Sequence, residues 1–154
     1  MSNFVCLDTS VLVKFFLEEE DSDTATALIQ AVVEKDQTIV LPAFAWAEFG
    51  TVLRQKQRKQ ALTDNEAGAV WQKFTAFPGI EYVAGSDVIE RAWRLAQDLN
   101  LPTLYDASFL AVAEIIAGHG GKTVDFWTVD EKLLSLVRGR KNYLRLLRSF
   151  SVTS

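Results

Sequence analysis

Phe4-Val5-Cys6-Leu7 is an unbroken apolar run that turns polar at once in Asp8-Thr9-Ser10. A short run with aromatic and β-branched content fits a strand buried on both faces. After Ser10 the pattern becomes Val11, Leu12, Val13, Phe15 and Phe16, the opening of an apolar helix. A doubly buried strand feeding directly into a helix belongs in an α/β sheet, where ligands sit beyond the carboxyl ends of the strands. Asp8 is therefore expected at such an end. The structural alternative is that Asp8 or Thr9 merely caps the helix.

The alternation continues along the chain. Residues 11–19 read as a helix running into the acidic turn Glu18-Glu19-Glu20-Asp21. Asp21 or Ser22 is placed to cap a second helix over 23–35, with Ala27, Leu28, Ala31 and Val32 on one face. Thr38-Ile39-Val40-Leu41 is a buried strand stopped by Pro42, which suits the first turn of a helix over 43–59. Thr63 and Glu66 have capping-box spacing at the head of a helix over 63–77, which Pro78-Gly79 ends. A strand over 80–84 and a helix over 86–100 follow, with Val88, Ile89, Ala92, Leu95, Ala96 and Leu99 facing inward. Tyr105-Asp106-Ala107-Ser108 opens an apolar helix to 117. Gly118-His119-Gly120-Gly121 closes it, which makes His119 a surface-turn residue. Residues 123–127 read as a strand with Asp125 inside it. Thr128 and Glu131 repeat the capping-box spacing ahead of a helix to 137. Residues 143–150 fit a strand or a helix equally.

A chain of 154 residues, 49% hydrophobic and 23% charged, suits one globular unit, expected here as a single domain over 1–154. Its apolar runs fall well short of the ~20 residues that span a bilayer. Met1-Ser2-Asn3 has no positively charged start, so no signal peptide is expected and the cytoplasm is the default compartment. Cys6 is the one cysteine, which excludes an internal disulfide and a cysteine-based zinc site. The net charge of −4 argues against gripping nucleic acid by bulk electrostatics. Basic residues do cluster locally at Arg54, Lys56, Arg58 and Lys59, and at Arg138, Arg140 and Lys141. Each cluster alone reads as a solvated face.

Strands alternating with helices at this spacing predict an α/β fold with a mainly parallel sheet and helices on both faces. Right-handed crossovers bring all strand carboxyl ends to one edge. Asp8, Asp106 and Asp130 each sit at the start of a helix after a strand or loop. Glu48 has Phe44 and Val52 at i−4 and i+4, so it projects from an apolar helix face, where a lone carboxylate is costly. Any one of these acids has an ordinary explanation as a cap or an edge residue. Four on one edge do not, because carboxylates within ~4 Å repel by roughly 4 kcal/mol per pair at a surface-like dielectric. A cation relieves that repulsion. An all-oxygen donor set selects Mg²⁺ or Mn²⁺ over zinc. Paired ions of this kind hydrolyse phosphodiesters by in-line attack.

Leu7-Asp8-Thr9-Ser10-Val11-Leu12, Pro42 through Glu48, Tyr105-Asp106-Ala107 and Thr128-Val129-Asp130 together resemble the PIN-domain ribonucleases, specifically the VapC-like toxins of toxin–antitoxin pairs. The resemblance covers nearly the whole chain. It implies a five-stranded parallel sheet in a three-layer α/β/α arrangement and a Mg²⁺/Mn²⁺-dependent endoribonuclease. Asp8, Glu48, Asp106 and Asp130 would then be the metal-binding and catalytic quartet, with Thr128 and Thr9 or Ser10 as supporting hydroxyls. It further implies an RNA substrate, an antitoxin partner and a homodimer. Trp127 is bulky for its place before the last motif, and Asp125 and Glu131 are candidates for a further acid there. Two rival readings stand beside this one. Phosphoryl transfer through Asp8 as a nucleophile wants D-x-D after the strand, and Ser10 occupies the second place. A catalytically inactive RNA- or protein-binding module would need no metal. Paired-histidine RNase chemistry is excluded because His119 is alone. No phosphate-binding glycine motif occurs.

Overall fold

Val5, Cys6 and Leu7 are all buried, and successive strand residues face opposite sides, so their strand must be covered on both faces. The computed structural model describes residues 2–151; Met1 and residues 152–154 of the expected 1–154 unit lie outside them. Among the described residues there are five strands: β1 (Phe4–Leu7), β2 (Thr38–Pro42), β3 (Ile80–Val83), β4 (Phe126–Thr128) and β5 (Leu144–Leu146). All pair in parallel, in the order β3-β2-β1-β4-β5. The expected parallel α/β sheet is the observed one, with the first strand at its centre.

The helices are α1 (Thr9–Phe16), α2 (Ser22–Glu34), α3 (Ala45–Arg58), α4 (Asp64–Ala76), α5 (Ser86–Asp98), α6 (Leu104–Gly120) and α7 (Glu131–Val137). Helix α6 lies across β2, β1 and β4, with α5 packed on its outside. Cys6 points towards it, and its thiol donates to the Phe109 carbonyl at 3.7 Å. Val5 and Leu7 point the opposite way into an equally buried environment, which is why β1 carries no polar residue before Asp8. On the other side α1 packs on α2 and α3, and α3 on α4. Phe49 and Phe74 stack at 4.1 Å between α3 and α4. Gly50 makes that approach possible: a Cβ there would meet the Trp71 ring at 3.0 Å.

The strand order reverses direction at β1. The chain builds outward through β2 and β3, then returns to the other side of β1 for β4 and β5. At such a switch point the two neighbouring crossovers leave in opposite directions and open a crevice at the strand carboxyl ends. Here that crevice lies between the end of β1, at Asp8, and the end of β4, at Thr128.

Several local expectations change. Pro42 does not open a helix; it closes β2, paired with Val83 of β3. Neither Asp21 nor Ser22 caps α2: the Ser22 hydroxyl bonds the Leu17 carbonyl and the Glu19 amide instead. Ile89 is 72% exposed, because the inner side of α5 is carried by Val88, Ala92 and Leu95, continued by Ala96 and Leu99 against the core. Helix α6 runs through His119 to Gly120 and ends only where Gly121 turns left-handed at φ 71°, so His119 sits in a last helical turn. Asp125 lies just before β4, paired with Arg145 at 3.6 Å. The undecided final segment is strand first and then a 3₁₀ turn, Leu147–Ser149. The capping box of Thr63 and Glu66 forms as expected.

Candidate active site

The capping explanation for Asp8 fails in the structure. Asp8 occupies the N-cap position of α1 but makes no side-chain cap bond. Its Oδ2 instead accepts a 2.7 Å hydrogen bond from the Thr128 hydroxyl, across the β1–β4 crevice. Parallel pairing of Leu7 with Trp127 brings the two together, and the Asp8 amide donates to the Trp127 carbonyl at 2.9 Å. Thr128 is a fully buried strand residue, not the head of a capping box. The cap of α7 is Asp130, whose Oδ1 accepts from the Leu133 amide at 3.0 Å. The Thr128 hydroxyl also accepts from the Asp130 amide at 3.1 Å, so one threonine ties Asp8 and Asp130 to the same strand end.

Glu48 enters from α3. Its Oε1 accepts a 2.9 Å bond from the Thr9 hydroxyl, and Thr9 is buried at the first turn of α1. Asp106 enters from the first turn of α6, where the capping work is done by Thr103. Asp106 is thus left with a side chain that caps nothing. Ser10 Oγ is buried and has no well-formed hydrogen bond within the protein, although it lies near enough to Asp8 to favour its ionised form.

The electrostatics tie these acids together. Burial raises the pKa of Asp8 above the ordinary carboxylate range, and the Thr128 hydroxyl bond and the nearby polar groups of Thr9 and Ser10 only partly offset it. Glu48 is raised by burial and, beyond the lowering effect of Thr9, by the charges of Asp8 and Asp106. Asp106 is raised by burial and then by Asp8 and Asp130. Desolvation pushes all three carboxylates the same way, and the Asp8 charge acts on both Glu48 and Asp106.

The donor set suits an oxygen-seeking cation: four carboxylates and an orphaned buried hydroxyl, with Cys6 held inside the sheet and His119 remote in sequence and exposed. Among the described residues, no three acidic, histidine or cysteine side chains stand in ready-made ligating geometry. The residues fit a divalent ion in kind.

A PIN domain family model matches residues 5–136. The chain belongs to the PIN domain family. No curated protein matches it. Among solved structures, a toxin–antitoxin complex from Klebsiella pneumoniae resembles it with a TM-score of 0.61 at 18% identity, over 93% of this chain and 97% of that one. At that identity the likeness is one of fold.

A groove of about 790 Å³ runs from this edge of the PIN fold between α1 and α3. Of the four acids only Glu48 lines it, together with Thr9 and Ser10; Tyr105 and Val129, the neighbours of Asp106 and Asp130, line it too. Its other end carries Lys14 and Lys56, which share Glu19 at 3.4 and 3.6 Å. The second basic cluster faces elsewhere: Lys141 pairs with Glu114 at 3.0 Å, and Arg140 bonds the Asp98 carbonyl. Asp125 and Glu131 are paired with Arg145 and Arg148. Trp127, which looked too bulky, packs edge-on against Phe150 at 5.6 Å. Sequence reasoning passed over Lys14 and Tyr105. Lys14 had a signal, since it interrupts an apolar helix four residues after Ser10, on the same face. Tyr105 had only its adjacency to Asp106.

Among the described residues no helix is long and apolar enough to cross a membrane.

Proposed function

We propose that this PIN protein is a Mg²⁺- or Mn²⁺-dependent endoribonuclease and the toxin of a toxin–antitoxin pair, acting as one domain over 1–154. The observation that carries the reading is the gathering of acids at the β1–β4 switch point, where burial raises Asp8, Glu48 and Asp106 and the charges of neighbouring acids raise Glu48 and Asp106 further. A fold that gathers desolvated carboxylates without basic partners favours a cation there.

Asp8, Glu48, Asp106 and Asp130 would hold the metal, which supplies charge neutralisation and a more acidic water for attack on a phosphodiester. Thr128 fixes the Asp8 carboxylate by donating to Oδ2, and Thr9 does the same for Glu48. These hydroxyls set which carboxylate oxygens stay free for a ligand. Ser10 Oγ is the remaining unengaged donor beside Asp8. The open groove admits a strand whose phosphodiester is accessible, and the proposed substrate is RNA.

The reading of an antitoxin partner rests on the family and on the fold likeness to a toxin–antitoxin complex. Pairing of two copies is supported by Ile89 and Trp93, 72% and 53% exposed one turn apart on α5. A cytoplasmic location follows from the proposed substrate. That no three-ligand cage is preformed among the described residues favours a second reading, a catalytically inactive PIN module that binds RNA or protein.

Calorimetric titration with Mn²⁺ separates the two. The native protein should bind, and Asp8→Asn and Asp106→Asn should not. RNA cleavage should follow Mn²⁺ and stop in EDTA. A native protein that binds no metal at millimolar concentration, with RNA present, would establish the inactive module.

A further inference from the structure

Tyr105 is 60% exposed, an unusual position for a large aromatic side chain that is not held loosely. Its ring meets Phe44 edge-to-face at 5.3 Å and 77°. Phe44 in turn meets the buried Phe109 at 6.1 Å and 90°, and Phe109 stacks on Phe126 of β4 at 5.6 Å. A chain of rings therefore anchors Tyr105 to the core while leaving it exposed along the groove. Edge-to-face contacts of this kind hold a ring's orientation as well as its position.

The placement matters as much as the rigidity. Tyr105 and Phe44 both line the groove that contains Glu48, Thr9 and Ser10. Tyr105 directly precedes Asp106, in the first turn of α6. Proteins that hold single strands combine a groove with aromatic faces on which bases stack, because every base has a π-face. The low net charge of this chain leaves stacking with a larger share of the work than it has in a basic RNA-binding protein.

We propose that Tyr105, braced by Phe44, is the platform on which a base beside the scissile phosphodiester stacks, and so positions single-stranded RNA at the carboxylates. The proposal rests on the nuclease reading for its reaction, but the platform itself is a binding feature. Tyr105 is a positioning residue: it sets where the strand lies and takes no part in bond breaking.

The test compares two probes, a fluorescent uridine dodecamer and an abasic ribose-phosphate dodecamer of the same length. Binding is followed by anisotropy with Ca²⁺ in place of Mn²⁺. Tyr105→Ala and Tyr105→Leu should weaken binding of the uridine strand about 5- to 100-fold and leave the abasic strand unchanged. Tyr105→Trp should restore uridine binding. Unchanged melting temperatures check that the fold is intact. Equal loss on both probes, no loss on either, or no binding of the uridine strand by the native protein would overturn the platform. Cleavage of RNA by the native protein in Mn²⁺ is scored separately. Cleavage with no base-dependent effect of Tyr105 sinks the platform and keeps the nuclease. A base-dependent effect without cleavage sinks the nuclease and keeps the platform.

Discussion

Asp106 and Glu114 lie on one face-to-face packed helix, α6, eight residues and ~12 Å apart, and the protein treats them in opposite ways. Burial would raise Glu114, but hydrogen bonds from Tyr143 and Lys141 and the Arg91 guanidinium more than offset it, and its pKa is lowered. Arg91 reaches it at 2.8 Å and Lys141 at 3.0 Å. These partners come from α5 and from the approach to β5, so Glu114 locks three elements together. Burial also raises Asp106, yet its neighbours Asp8 and Asp130 raise it further. One carboxylate is met by donors that outweigh its burial, and the other by acids that the Thr103 hydroxyl does not offset. The first arrangement serves the fold. The second costs the fold stability, as expected if the proposed metal site is kept for its ligand.

The sharpest way to break this comparison is to neutralise the acids one at a time. Asp8→Asn or Asp106→Asn should weaken Mn²⁺ binding more than about 100-fold by calorimetry, since on the proposed reading each would lose a direct ligand rather than a supporting group. Glu114→Gln should leave Mn²⁺ affinity unchanged. If Glu114→Gln abolished metal binding, the two regions would not be separate.

The next effect reverses the roles. Glu114→Ala leaves the buried Tyr143 hydroxyl and the Lys141 ammonium without their shared acceptor. Stranding such groups costs about 1–3 kcal/mol, and we expect about 2 kcal/mol by urea unfolding, with the partial exposure of Arg91 holding the figure down. Smaller again is Thr128→Val. It keeps the shape of a fully buried residue but frees Asp8 Oδ2. A tenfold or greater drop in Mn²⁺ affinity is expected, from the usual 10- to 100-fold effect of a lost supporting bond. Affinity unchanged in this variant would mean that Thr128 only ties strands together.

Much of the architecture was legible because it depends on local pattern. The run Phe4 to Leu7 followed by Asp8 announces a doubly buried strand and its polar end. Glu48 stood out because its i±4 neighbours are apolar. What local pattern could not show was pairing over distance. Thr128 satisfies a capping box three residues ahead of Glu131, yet its hydroxyl belongs to Asp8, 120 residues away in the chain. Only the β1–β4 register decides between the two. Ile89 fits the helical period of α5, but periodicity does not say where the neighbouring helix stops. The Glu114 network was invisible for the same reason, since Arg91, Lys141 and Tyr143 carry no shared motif with it.

The smallest expected effect tests the cost argument directly, in metal-free protein. For groups whose folded pKa is raised, such as Asp8, Glu48 and Asp106, stability is greatest with the proton on, and it is lost as pH rises through the folded values, above the ordinary carboxylate range of about 4. For Glu114, whose folded pKa is lowered, stability is present above that range and is lost as pH falls through the folded value. Metal-free stability should therefore rise on mild acidification from neutrality and fall at stronger acidity. Asp106→Asn removes a charge that burial and two neighbouring acids oppose, and gives up a favourable interaction with the α6 amino terminus of about 0.3–1 kcal/mol. The desolvation and repulsion should win, because they act together on a half-buried group. With solvent screening of a half-exposed group discounting the gain, we expect it to stay below about 1 kcal/mol, or under roughly 2–4 °C in melting temperature for a chain of this size. The gain should be measured in EDTA at neutral pH, and it should shrink on acidification as the native Asp106 takes up its proton. A variant less stable than the native protein under those conditions would mean that Asp106 is held by the fold for the fold's own sake.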